Sequence, residues 1–85
     1  MSNLALFEEA LGETEALQQT YPAVQTLQSI ANQLRYLISL ANGASDDRGR
    51  LGEIIVGVQA AREVEPLSQS LANLLYQVDE EARRM

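Results

Sequence analysis

Apolar residues recur in steps of three and four along the middle of the chain, a spacing that places them on one face of an α-helix. Pro22 precedes this stretch and suits the first turn of a helix, where a missing N–H costs nothing. Asn42-Gly43 follows it, and glycine readily takes the left-handed conformation that ends helices. The sequence therefore predicts a helix over 22–42, whose apolar stripe is Val24, Leu27, Ala31, Leu34, Ile38 and Ala41.

Three further stretches have the same spacing and predict helices over about 3–20, 46–65 and 66–83. Pro66 separates the last two, because helical geometry is disfavoured in the residue before a proline. The apolar residues are Leu4, Phe7, Ala10, Leu11 and Leu17 in the first of these stretches, Leu51, Ile54, Ile55, Val58 and Ala61 in the second, and Leu67, Leu71, Leu74, Leu75, Val78 and Ala82 in the third.

Glycine interrupts the stretch over 46–65 at Gly49, Gly52 and Gly57. Each glycine lowers helix stability by up to ~1 kcal/mol relative to alanine. We interpret the three as positions where a neighbouring helix approaches closely. Four helices with short connections favour an all-α fold, a small antiparallel bundle of about four helices in a single domain over 1–85.

The chain lacks the side chains that most catalytic and metal sites use. It contains no His and no Cys, and all six of its basic residues are Arg. This composition removes the usual general base, thiol nucleophiles, Schiff-base lysines and the common zinc ligands. We therefore expect a protein that is not an enzyme and has no cofactor, no metal site and no catalytic residue.

The charge is acidic and unevenly distributed. The formal net charge is −6, and residues 1–34 contain four Glu and no basic residue. An acidic surface repels nucleic acid and anionic lipid but attracts a basic protein surface, so the expected partner is a protein, with no nucleic acid and no membrane. No signal peptide and no apolar run of ~20 residues is present, which leads us to expect a cytoplasmic protein.

Several short motifs together resemble the small all-helical immunity proteins of interbacterial type VI secretion, in particular those that neutralise NAD(P)+ glycohydrolase toxins. The resemblance extends from about Tyr21 to Val78. In order, the matching residues are Tyr21-Pro22, Gln33-Leu34, Tyr36, Asp47-Arg48, Leu51, Gly57, Ala60, Glu63, Leu67-Ser68, Leu71 and Tyr76.

The resemblance implies an antitoxin that binds the catalytic domain of a cognate effector toxin and covers its active site. We expect acidic side chains to face a basic, phosphate-binding cleft, with an aromatic or apolar centre that holds the complex. Tyr36 is the candidate for that centre, because tyrosine is common in interfaces. The candidate partner-binding residues are Glu9, Glu13, Tyr36, Asp47, Arg48, Glu63 and Glu65.

Three alternatives fit the same features. The toxin could have another nucleotide-directed activity, such as that of a pyrophosphokinase. The chain could be a helical adaptor or secretion chaperone that carries a partner without inhibiting it. Self-association is also possible, if the glycine-bearing helix packs against its own copy.

Overall fold

The computed structural model describes residues 3–85, and it confirms the all-α class. Its elements are α1 (Asn3–Thr20), α2 (Gln25–Ala41), a 3₁₀ turn (Leu51–Glu53), α3 (Val56–Gln59), a π-helical segment that continues α3 (Ala60–Val64), and α4 (Gln69–Arg84). No β-strand occurs within this part of the chain. None of its helices is both long enough and apolar enough to cross a membrane.

The four helices form a closed antiparallel ring. α1 packs against α2 and α4, while α3 with its π-helical segment packs against α4 and α2. Two side-chain pairs show that α1 and α2 are antiparallel: Gln18 bonds to Gln28, and Glu15, earlier in α1, bonds to Arg35, later in α2. As a result, α1 and α3 lie diagonally across the bundle from each other.

The core is aliphatic with a single aromatic residue, Phe7, which is completely buried. Thr14 is the one buried polar residue between residues 3 and 85, and its hydroxyl donates to the carbonyl oxygen of Ala10 at 2.8 Å. The other buried residues are Leu6, Ala10, Leu27, Ile30, Ala31, Leu34, Leu37, Val56, Ala60, Val64, Leu71, Ala72, Leu75, Val78 and Ala82.

The prediction of a helix over 46–65 was wrong for the first ten positions, because α3 begins only at Val56. Side chains bond to the backbone before it: the Ser45 hydroxyl accepts from the amide of Asp47 at 3.1 Å, and Asp47 Oδ1 accepts from the amide of Gly49 at 3.0 Å. Such local bonds offer the backbone an alternative to helix.

The predicted starts of α2 and α4 were also wrong by about three residues, because neither helix begins at its proline. α2 begins at Gln25, so Pro22 lies in the turn before the helix rather than in its first turn. α4 begins at Gln69 after Ser68, whose side chain accepts a hydrogen bond from the amide of Leu71 at 3.1 Å. This serine cap, and not Pro66, starts α4.

Gly43 has the left-handed conformation expected after α2, with φ of 81°. The close-approach interpretation of the other glycines is correct at Gly57 only. A Cβ there would lie 2.8 Å from Cγ of Asp79 on α4, whereas a Cβ at Gly52 would meet nothing within 4 Å.

Replacing Gly57 by alanine is therefore expected to lower the free energy of unfolding by about 1–2 kcal/mol. The clash with Asp79 outweighs the gain in helix propensity of up to about 1 kcal/mol. Urea denaturation measures the change, with Gly52→Ala as the matched control, expected within about 0.5 kcal/mol of wild type. Equal stabilities for the two variants would contradict the close contact between α3 and α4.

Candidate partner-binding surface

Polar side chains connect α2 to Gln59 in α3 and to Ile55, the residue before α3. Nε2 of Gln33 donates to Oε1 of Gln59 at 2.8 Å, and Nε2 of Gln59 donates to the Ser29 hydroxyl at 3.1 Å. Oε1 of Gln33 in turn accepts from the backbone amide of Ile55 at 2.8 Å. This network holds the backbone around Ile55 in place against α2.

Tyr36, one turn after Gln33 on α2, bonds to the irregular segment that connects α2 to α3. Its hydroxyl donates to the carbonyl oxygen of Asp47 at 2.7 Å and accepts from the amide of Arg50 at 3.2 Å. The Arg50 guanidinium lies over the ring, 5.6 Å from its centroid, within the range of a cation–π contact. The ring is partly buried, so Tyr36 both shapes this surface and contributes to it.

Replacing Tyr36 by phenylalanine is expected to lower the free energy of unfolding by about 1 kcal/mol, because both hydroxyl bonds are lost. Hydrogen exchange at the Arg50 amide should become faster, because its acceptor is gone. Tyr21→Phe is the matched control, since the Tyr21 hydroxyl bonds to no described residue. Unchanged exchange at Arg50 in Tyr36→Phe would show that the hydroxyl does not hold the segment.

An open groove of about 310 Å³ lies between α2 and this segment. It is lined by Ser29, Asn32, Gln33, Tyr36, Arg50, Glu53, Ile54 and Ile55. Its walls are therefore both polar and apolar, as is common for surfaces that receive side chains of another protein.

Two apolar residues are exposed, contrary to the predicted stripe: Ile55, which lines the groove, and Val58, three residues after it. Ile55 and Val58 were expected on the core face of the third helix, but they are 48% and 49% exposed. Because α3 begins at Val56, the core face consists of Val56, Ala60 and Val64 instead. Sequence periodicity missed this surface because the spacing of Ile55 and Val58 suits either face.

Asp47 and Arg48 are exposed and belong to the segment that Tyr36 holds against α2. The structure thus brings three of the predicted residues together: Tyr36, Asp47 and Arg48. Nη1 of Arg48 donates to the backbone oxygen of Met85 at 2.7 Å, which ties the segment to the end of α4.

Glu63 lies in the π-helical segment and Glu65 directly after it, and each bonds to a different helix. Glu63 accepts a hydrogen bond from the Thr26 hydroxyl on α2, and Glu65 accepts one from the Tyr76 hydroxyl on α4. The bond to Glu65 is the main cause that raises the pKa of Tyr76, and desolvation and the nearby negative charge act in the same direction. Tyr76 therefore remains a hydroxyl donor at neutral pH.

Glu9 and Glu13 lie on α1, diagonally across the bundle from α3. Glu9 is exposed, and Oε1 of Glu13 accepts from the Ser70 hydroxyl at 3.3 Å on the side of α4. The structure therefore does not place these two carboxylates in one patch with Tyr36 and Asp47.

None of the six charged candidates forms an ion pair with a residue of the described chain. The ion pairs between residues 3 and 85 join Arg35 to Glu15, Arg83 to Asp79, and Arg84 to Glu80 and Glu81. Glu9, Glu13, Asp47, Arg48, Glu63 and Glu65 are thus not neutralised by a side chain of opposite charge within these residues. Within the same residues, His, Cys, Asp and Glu side chains form no group of three that could hold a metal ion.

Comparison with known proteins gives one match. The Tsi6 family model matches residues 2–84, nearly the whole chain. Searches of curated proteins and of solved structures find no match.

Proposed function

This chain belongs to the Tsi6 family of type VI secretion immunity proteins, and on that premise we propose that it binds the catalytic domain of a cognate NAD(P)+ glycohydrolase toxin and blocks its active site. The family match over residues 2–84 is the observation that carries the proposal. Membership implies binding to a cognate toxin protein, and immunity proteins are generally non-enzymatic. The toxin chemistry and the occlusion mechanism are our proposals.

The proposed mechanism is steric and electrostatic. A cleft that binds the pyrophosphate of NAD(P)+ needs basic groups, which attract an acidic protein. The chain has 12 acidic residues and six basic ones. Steric blockage needs no chemistry from the inhibitor, which agrees with a chain that has no His, Cys or Lys. We assign this binding to the cytoplasm, because the chain protects the cell that produces it.

The seven predicted contact residues have different roles in this proposal. Tyr36, Asp47 and Arg48 lie together and form one part of the contact surface, with Glu63 in the π-helical segment and Glu65 directly after it. Glu9 and Glu13 lie across the bundle, so we assign them to long-range attraction of the toxin rather than to its central contacts.

The test is inhibition by the purified protein. The toxin domain encoded beside this gene is mixed with NAD+ and increasing amounts of the chain, and nicotinamide release is measured. We expect activity to fall to zero at one equivalent of the chain. Full activity of a complex seen by size-exclusion chromatography would favour the adaptor or secretion-chaperone alternative. The toxin could also leave NAD+ intact and transfer pyrophosphate instead. If the chain inhibits such a toxin, the immunity role stands and only the proposed class of toxin is wrong.

A further inference from the structure

We propose that Ile55 and Val58 form the apolar anchor of the toxin interface and that the toxin presents to them an apolar projection flanked by basic side chains. This inference rests on the proposed function, because the occupant it assigns to the surface is the cognate toxin. It goes beyond that function by naming the residues on which the stability of the complex depends.

The two side chains stand out from the rest of the molecule. Tyr21, Ile55 and Val58 are the large hydrophobic residues exposed within residues 3–85, and only Ile55 and Val58 lie close together in the chain. Single exposed hydrophobic residues are common, but a group of them beside a groove is typical of an interaction site.

The backbone under the pair is already fixed in the free protein. The amide of Ile55 donates to Oε1 of Gln33 at 2.8 Å, and its carbonyl oxygen accepts from the amide of Gln59 at 3.0 Å. The same turn packs closely on α4, since a Cβ at Gly57 would lie 2.8 Å from Cγ of Asp79. A surface ordered before binding loses little conformational entropy when a partner arrives, which favours tight association.

The groove provides a second contact surface next to Ile55. Ile54 and Ile55 line it together with Tyr36 and Arg50, whose guanidinium lies over the Tyr36 ring. Its volume of about 310 Å³ is at the lower limit for small-molecule sites, and the groove is open to solvent. These dimensions suit one or two protruding protein side chains better than an enclosed ligand.

The surrounding charges favour a basic partner over a second copy of this chain. Segment 46–65 contains five acidic residues and three Arg, and no ion pair joins any of these eight to another described residue. A symmetric contact between two copies would bring together two segments that each carry more acidic than basic residues. An apolar centre with a charged rim is instead the usual arrangement between different proteins.

The test compares Ile55→Ser/Val58→Ser with the wild-type chain in binding to the purified toxin domain. We expect Kd to rise about 100-fold, chiefly through faster dissociation, because two central apolar contacts are lost. Tyr21→Ser is the matched control; it removes another exposed hydrophobic side chain, located before the start of α2, and should leave Kd within about threefold of wild type. Circular dichroism establishes that each variant is folded, and Val58→Ser alone should give a rise of about tenfold.

The other possible outcomes distinguish failure of the proposed anchor from failure of the proposed function. Wild-type affinity in the folded double variant would overturn the anchor and leave the proposed function intact. A wild-type dimer that the double variant abolishes, with toxin affinity unchanged, would assign the surface to a second copy and also overturn it. Failure of the wild-type chain to bind the toxin would overturn the proposed function and the anchor with it.

Discussion

Replacing Phe7 by alanine is expected to lower the free energy of unfolding by about 3–5 kcal/mol, the largest stability effect predicted for this chain. Phe7 is completely buried and is the one phenylalanine of the chain, so its loss leaves a cavity that aliphatic neighbours cannot fill. A domain of 85 residues has a total stability of about 4–13 kcal/mol. The variant should therefore lose a large part of its stability, and urea denaturation and a thermal melt measure the loss.

Leu4→Ala is the control for this substitution. Leu4 lies on the same helix but is only partly buried, so its truncation should cost less than about 1.5 kcal/mol. A loss below about 1 kcal/mol for Phe7→Ala would mean that α1 does not pack into the core as described.

Reversing Glu9 and Glu13 to Arg is expected to slow association with the toxin domain about 100-fold at low salt. The two carboxylates belong to α1, which carries four Glu and no basic residue, so the change removes the net negative charge of this helix. Because α1 lies across the bundle from Ile55 and Val58, the dissociation rate should change little. Stopped-flow kinetics at two salt concentrations measure both rates, and the difference should shrink as salt increases.

The matched control is Glu80→Arg/Glu81→Arg, which changes the net charge by the same amount at the end of α4. It removes exposed pairs with Arg84, which contribute little to stability. If both double variants slow association equally, total charge and not the α1 surface attracts the toxin. If Glu9→Arg/Glu13→Arg alters neither the rate nor its salt dependence, α1 has no part in steering.

The helices could be predicted from the sequence because their apolar stripes are long and regular. In α2, Leu27, Ile30 and Leu34 are completely buried, as the spacing requires. The end of α2 could also be predicted, because Gly43 takes a conformation that other residues adopt at a cost of roughly 1–2 kcal/mol. These features depend on neighbours within a few residues.

The conformation of residues 46–55 could not be predicted, because competing local bonds decide it. Apolar spacing at Leu51, Ile54 and Ile55 continues that of α3, yet the side chains of Ser45 and Asp47 bond to nearby amides and Tyr36 holds the segment from another helix. The contact of Tyr36 with Asp47 and Arg50 joins residues more than ten positions apart, which periodicity cannot show.

The exposure of Ile55 and Val58 could not be predicted from the sequence for a related reason. The face that a helical residue presents depends on where its helix begins, and each residue turns the direction by about 100°. The π-helical segment Ala60–Val64 adds a further change, since the amide of Glu65 bonds to the carbonyl oxygen of Ala60, five residues back. The late start leaves Ile55 outside α3, and Val56, Ala60 and Val64 form the buried face instead.

The most direct test of the proposed function is cellular. The toxin encoded beside this gene is expressed in a heterologous bacterium with and without this chain, and NAD(P)+ and growth are followed together. We predict that NAD(P)+ collapses with the toxin alone and is preserved, with normal growth, when the chain is present. Collapse of NAD(P)+ and growth despite abundant folded chain would contradict the proposed function. So would a neighbour that leaves both NAD(P)+ and growth unaffected when expressed alone.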